Sequence, residues 1–180
     1  MIDTREKFLD LLKEKAYRKG EFKLSSGKTS EHYVNCKPVT LQADALSFIS
    51  WCILECMEED SVAIAGLTLG ADPLVAGTAV VSAIDERPVA GLIVRKEPKG
   101  HGTGAWIEGP ELPKGSKVTV VEDVVTTGGS ALKAVEKLRE HGYEVDRVVC
   151  IVDRQECETF TWFDKSLELT SLFLLEEICE

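Results

Sequence analysis

Val118-Thr119-Val120-Val121-Glu122-Asp123-Val124-Val125-Thr126-Thr127-Gly128-Gly129-Ser130 is the stretch that decides the fold. Val118 to Val121 is a short β-branched run of the kind found in strands buried on both faces of a parallel sheet. Two carboxylates follow it, then a run of hydroxyl-bearing residues and two glycines. Beyond them Leu132, Val135 and Leu138 recur at helical spacing up to a Gly142 stop. A strand that ends in acids and turns through glycines into a helix is a ligand site in form. The acids accept hydrogen bonds from vicinal hydroxyls. The glycines let backbone approach closely, and the helix start favours a phosphate. The constellation reads as a ribose-5-phosphate cradle. A bare Gly-Gly-Ser turn with Ser130 as helix cap is the plainer alternative, and the adjoining acidic pair weighs against it. Neither a Walker loop nor a G-x-G-x-x-G fingerprint is present.

Three further runs share the strand character: Val62 to Gly66, Val89 to Val94, and Val148 to Val152. Helical stretches lie between them, with Pro73 to Ile84 apolar and Ala-rich. Alternation of this kind predicts an α/β domain with a parallel sheet. Toward the N-terminus, Phe8, Leu11, Leu12 and Ala16 mark a first helix, with Asp3 and Glu6 as a weak capping box and Gly20 as its stop. Residues 21–43 hold short β-like pieces and a turn at Ser25 to Lys28. A second helix buries Leu46, Ile49, Ile53, Leu54 and Met57.

Ligands in such sheets bind outside the carboxyl ends of the strands. After Val94 comes Arg95-Lys96-Glu97-Pro98-Lys99-Gly100-His101-Gly102-Thr103-Gly104, three cations and a histidine set among glycines. That is an anion clamp in form. In isolation a solvated basic loop would be the better reading, and its place at a strand end shifts the balance. Gly66-Leu67-Thr68-Leu69-Gly70-Ala71-Asp72-Pro73 could offer amides to a second phosphate, but a simple turn explains it equally well.

The chain has 180 residues, 44% of them hydrophobic, which fits one domain with a real core. Its net charge of −10 disfavours a general nucleic-acid binder. Arg95, Lys96 and Lys99 against Glu97 make residues 95–101 +2, so the remainder carries −12. The six cysteines have no metal-ligand spacing and read as buried reduced thiols. No run reaches the roughly 18 apolar residues of a membrane span, and no secretory signal precedes the first helix. A soluble cytoplasmic protein is expected.

The Val120 to Ser130 segment resembles the phosphoribosyl pyrophosphate (PRPP) signature of the type I phosphoribosyltransferases. Arg95-Lys96-x-x-Lys99-x-His101-Gly102 narrows the resemblance to the orotate phosphoribosyltransferases. Val152-Asp153-Arg154-Gln155-Glu156, Leu24-Ser25-Ser26-Gly27-Lys28 and Tyr33-Val34-Asn35 resemble further elements of that family. The resemblance implies a central parallel sheet flanked by helices with a small N-terminal hood. The hood would take about residues 1–43 plus C-terminal elements, and the core about 44–155.

The resemblance also implies roles. Glu122 and Asp123 would hold the ribose 2′- and 3′-hydroxyls. Val124, Val125, Thr126, Thr127, Gly128, Gly129 and Ser130 would hold the 5′-phosphate. Arg95, Lys99 and His101 would close over the pyrophosphate, and Lys96 would serve a site shared across a homodimer. Leu69 and Gly70 would fall in the pyrophosphate loop. Thr126 and Arg154 would contact orotate. Some family members have Lys where Ser25 stands, and Lys28 would replace it. The same members have Tyr-Lys where Leu69-Gly70 stands. Mg²⁺ would accompany PRPP. An Asp153-Arg154 pair can equally be a plain salt bridge, and Lys28 or Lys37 surface charge. Two other functions remain open at this point: a phosphoribosyltransferase for another base, and a non-catalytic PRPP-sensing regulator.

Overall fold

A computed structural model describes residues 2–23, 29–99, 105–155 and 166–179. Its centre is a six-stranded sheet. The strands are β3 (Ala63–Leu67), β4 (Ala90–Val94), β5 (Ile107–Glu108), β6 (Val118–Val125), β7 (Arg147–Asp153) and β8 (Glu168–Leu174), in the order β5-β4-β3-β6-β7-β8. Only β5 runs antiparallel, against β4; the other neighbours pair parallel. The apolar runs therefore sit where continuous hydrophobicity places them. Every residue of β3 is buried, and β6 is buried along nearly all its length.

Successive strand residues point to opposite faces. Ile64, Val121 and Val149 pack on one face with Ile49 and Ile53 of α3 (Ala43–Cys56) and Leu74 of α4 (Asp72–Ile84). Ala63, Val118, Val120 and Val148 pack on the other with Val135 and Leu138 of α5 (Gly129–His141). Helix α5 ends as its sequence predicts. Gly142 has φ +100°, and the amides of Gly142 and Tyr143 donate to the carbonyls of Arg139 and Leu138 at 2.9 and 3.1 Å.

The hood is built from α1 (Ile2–Leu11), a π-helical turn (Leu12–Ala16), a hairpin of β1 (Tyr17–Lys23) and β2 (Thr29–Val34), and the short α2 (Lys37–Thr40). Phe8, Leu12, Ala16 and Val34 join it to the first core face. A last helix, α6 (Leu175–Cys179), returns to α1, where Arg5 donates to Glu177 at 2.7 Å.

Four expectations need correction. Gly20 does not stop the first helix. Extended pairing with β2 begins at Tyr17, and Gly20 lies in β1 where the register slips between Lys19 and Phe22. Asp3 lies inside α1, which starts at Ile2, and so is not its cap. The apolar run that begins at Val118 continues to Val125 because β7 pairs alongside it as far as Val125↔Asp153. Glu122 to Val125 are thus strand, and the loop begins at Thr126. Finally, β8 extends the central sheet beside β7, so the core reaches past residue 155. Of the cysteines described, Cys36 and Cys150 are buried, Cys52 and Cys56 half-buried and Cys179 exposed, all as free thiols; the expectation of burial holds for two. Cys157 lies outside the described residues.

Candidate active site

The end of β6 presents its two acids to different neighbours. Glu122 lines a cavity of about 100 Å³ with Val124, Val125, Thr126, Thr127, Gly128, Gly129, Ser130 and Ala131. Asp123, on the opposite face of the strand, meets the hood and the β3–α4 loop. Both residues are buried, at 6% and 8% exposure. One strand thus carries both acids, but the two carboxylates serve separate walls.

The cavity beside Glu122 is an amide cradle. Gly128 is the N-cap of α5 with φ +74°, a left-handed conformation that suits glycine. It has no side chain to cap the helix, and Ser130 lies within the first turn instead of capping it. The first amides of α5, at the positive end of its dipole, are therefore left to whatever occupies the cavity. Glu122 is the exception in this anion-favouring wall. Burial, then the charge of Asp123, pushes its carboxyl well above the ordinary carboxylate range. Its Oε2 is buried with no hydrogen-bond partner among the described residues.

Asp123 is held from three sides. Its Oδ1 accepts from its neighbour's amide, Val124, at 3.0 Å. Its Oδ2 lies 3.4 Å from the ammonium of Lys37. Gly70 stands against it so closely that a Cβ there would lie 2.5 Å from Oδ1. Beside Gly70, Leu69 is exposed, and Thr68 donates its hydroxyl to Asp72 at 2.8 Å. The β3–α4 loop thus meets the end of β6 at this carboxylate.

The basic segment folds back on β5. Arg95 and Lys99 converge on one carboxylate, Glu108, at 3.2 and 3.8 Å. Their backbone amides donate to Trp106 and Ala105 at 2.9 and 3.1 Å. The carbonyl of Lys96 accepts from Lys133 of α5 at 2.6 Å. Lys133 and Lys137 lie 5.4 and 4.8 Å from the ring of Trp106. In this arrangement Arg95 and Lys99 are paired with Glu108 and not with the β6 acids. His101 and its flanking Gly100 and Gly102 to Gly104 lie outside the described residues, as does Lys28.

Arg154 is buried at 5% exposure. Its amide donates to Val125 at 3.0 Å, which fixes it one strand away from the cradle. Its guanidinium reaches the hairpin, donating to Ser30 Oγ at 2.8 Å and the carbonyl of His32 at 3.1 Å. Asp153 instead accepts from the amide of Gln155 at 2.8 Å. Arg154 therefore connects the sheet end to the underside of the hood, with Tyr17 bonded to the His32 ring at 2.8 Å behind it.

Lys37, Ser30, His32 and Glu108 are site neighbours that sequence reasoning did not assign. No spacing signals them, since each meets the site only through the fold.

A six-stranded, mainly parallel sheet whose acidic strand end opens onto an uncapped helix defines the class of protein. Residues 40–168 match the model of the phosphoribosyl transferase domain. The chain is 51% identical over 178 residues to the orotate phosphoribosyltransferase of Thermosynechococcus vestitus, covering 99% of this chain and 94% of that one. It is 44% identical to that of Aquifex aeolicus, with 97% of each covered. Among solved structures, a phosphoribosyltransferase from Corynebacterium diphtheriae superposes with a TM-score of 0.83 at 37% identity, covering 99% of both chains. The Mycobacterium tuberculosis orotate phosphoribosyltransferase in complex with PRPP superposes at 0.78 with 31% identity, covering 98% of this chain and 99% of that one. The chain belongs to the orotate phosphoribosyltransferase family.

Proposed function

We propose that this protein transfers the 5-phosphoribosyl group of PRPP to orotate, giving orotidine 5′-monophosphate and pyrophosphate in pyrimidine biosynthesis. The observation that carries this reading is the end of β6. There the buried Glu122-Asp123 pair leads into an amide cradle at the uncapped start of α5. The names of relatives matched over nearly the whole chain support orotate as the acceptor.

The 5′-phosphate would sit in the cradle of Val124 to Ser130, taking hydrogen bonds from the first amides of α5. Asp123 and Glu122 would receive the ribose hydroxyls. Orotate would lie between Thr126 and Arg154, beneath the hairpin, with its carboxylate facing the guanidinium; Lys28 is a further candidate contact. The C1–O bond of PRPP breaks through an oxocarbenium-like transition state as orotate N1 attacks. As the N1–C1 bond forms, the N1 proton leaves to solvent or to an oxygen of the departing pyrophosphate, so the step needs no dedicated protein base. The protein's work is electrostatic: Arg95, Lys96, Lys99 and His101 would stabilise the departing pyrophosphate. For Arg95 and Lys99 that requires release from Glu108.

Mg²⁺ would screen the pyrophosphate charge. The hard carboxylate oxygens of Asp123 suit that ion. Among the described residues no three His, Cys, Asp or Glu side chains cluster to cage a metal, so its main ligands would be PRPP oxygens and water. A homodimer in which Lys96 serves the neighbouring site, and a cytoplasmic location, complete the reading. No helix among the described residues is long and apolar enough to cross a membrane.

The test is absorbance-monitored consumption of orotate, with uracil, adenine and hypoxanthine as rival acceptors. Expected is orotate-dependent pyrophosphate release that needs PRPP and is abolished by a chelator. Transfer to another base in preference to orotate, or PRPP binding without turnover, would overturn it.

A further inference from the structure

We infer that Lys37 is a PRPP-binding residue: a cation supplied by the hood that grips the pyrophosphate end of the substrate, where the β3–α4 loop has none. This rests on the PRPP reading of the cleft.

The walls around Asp123 are short of positive charge. The loop from Gly66 to Pro73 contains no Lys or Arg and adds Asp72. The segment from Val124 to Ala131 contains none either. Arg95 and Lys99 are paired with Glu108. Among the described residues Lys37 reaches Asp123, 3.4 Å from Oδ2.

Its placement is built rather than incidental. The preceding residue, Cys36, is fully buried, and its thiol lies 3.8 Å from the carbonyl of Asp123. Two successive hood residues thus touch the same acid, one at its backbone and one at its carboxylate. Asn35 Oδ1 accepts from both the amide and the ammonium of Lys37, at 3.3 and 3.4 Å. The amide of Asn35 is in turn bonded to Ala16 at 2.9 Å. The stem of Lys37 is therefore fixed, while its side chain keeps 39% exposure against 12% for Asp123.

The pairing distance matters. Charge-assisted N–H···O bonds usually run to about 2.7–2.9 Å. A contact of 3.4 Å between a half-exposed ammonium and a carboxylate is loose, so a competing ligand can divide it. Ribose hydroxyls donating to Asp123 would displace the ammonium, and a neighbouring pyrophosphate oxygen would receive it. Gly70 leaves room for that transfer. Any side chain there would press on the Asp123 carboxylate, so the β3–α4 loop cannot itself supply a cation at this point, and the hood can.

The experiment compares wild type with Lys37→Met and Lys37→Arg. Calorimetry measures magnesium PRPP, magnesium pyrophosphate and ribose 5-phosphate, and steady-state kinetics gives both KM values and kcat. Expected for Lys37→Met is about a tenfold weaker affinity for PRPP and pyrophosphate, the size of one charge-assisted contact. Ribose 5-phosphate affinity and the orotate KM should stay within about twofold, and the loss should shrink as salt rises. Lys37→Arg should recover most of it. Equal weakening for ribose 5-phosphate would show that Lys37 merely props Asp123 and would overturn the assignment. So would unchanged PRPP affinity in Lys37→Met beside a wild type that binds PRPP. A wild type that binds no PRPP overturns the reading of the cleft itself.

Discussion

Gly70→Ala separates the site from the fold more cleanly than any other single change. The ideal Cβ at Gly70 lies 2.5 Å from Asp123 Oδ1, 2.6 Å from Cγ and 2.8 Å from Oδ2. Ordinary van der Waals contact begins at 3.4 Å, so the carboxylate and the loop must part by about 0.9 Å. Asp123 cannot simply swing away, because Val124 and Lys37 hold its two oxygens at 3.0 and 3.4 Å. A displacement near 1 Å at a substrate-positioning group costs about 10²-fold in rate, or about 2.7 kcal/mol. Gly70 is not among the positive-φ glycines, so its backbone accepts alanine, and replacing a loop glycine can stabilise by about 0.4–1 kcal/mol. The expected outcome is a kcat/KM for PRPP lowered about 10²-fold, with an unfolding midpoint close to that of wild type, the entropy gain offsetting the crowding at Asp123. Orotate consumption at varied PRPP gives the first quantity and a thermal melt the second. A kcat/KM within threefold of wild type would refute the assignment of Asp123 to the substrate. A lowered midpoint would refute the separation of site from fold.

Other perturbations test other parts. Lys99→Ala should lower turnover at saturating PRPP by about 10²–10³ while leaving the melting temperature nearly unchanged, since its 3.8 Å pair with Glu108 is half-exposed; near-normal turnover would exclude Lys99 from catalysis. Glu122 is raised by burial, so the folded protein holds this proton more tightly than the unfolded chain. Its contribution to stability is full below about pH 4.3 and fades as pH climbs toward the raised value. Glu122→Gln should therefore gain melting temperature over wild type progressively as pH rises above the ordinary carboxylate range; a difference constant with pH would refute the burial argument. Gly142→Ala meets both a φ of +100° and the Lys114 side chain, whose Cδ would lie 2.6 Å from the new Cβ. It should cost about 1–2 kcal/mol in urea unfolding without altering the KM for PRPP, and an unchanged midpoint would refute it.

The parts of this fold that were legible in sequence are those whose causes are local. The β6 run, its acids, and the glycines that open and close α5 all follow one another along the chain. β8 escaped because it is an edge strand, half-buried along most of its length. Such a strand needs no continuous apolar run. Gly20 is ambiguous in sequence because a glycine that stops a helix and a glycine at a strand irregularity look alike until the partner strand is known. Glu108 drew Arg95 and Lys99 from a strand of two residues, too short to carry a pattern. Lys37 meets Asp123 across 86 residues of chain, and nothing near either residue announces the other. The motif could be read from the sequence, but its electrostatic neighbours could not.

Those neighbours resolve a difficulty in the motif itself. A site for a polyanion that places two carboxylates beside its phosphate cradle appears self-defeating when charges are counted along the chain. In the folded protein the two are discharged by different means. Burial pushes the Glu122 carboxyl up, which reduces its negative charge where it faces the cradle. Asp123 keeps its partner in Lys37, a loose one that a hydroxyl ligand can replace. The strand end thus presents hydrogen-bonding oxygens without the full repulsion of two charges. Among the described residues Glu122 and Asp123 are the buried acids; the others behind the chain's −10 meet solvent, where salt screens them. The same logic places the burden of attraction on cations that are paired in the free protein, Lys37 with Asp123 and Arg95 with Glu108. Each then becomes available only when something else takes up or releases its partner.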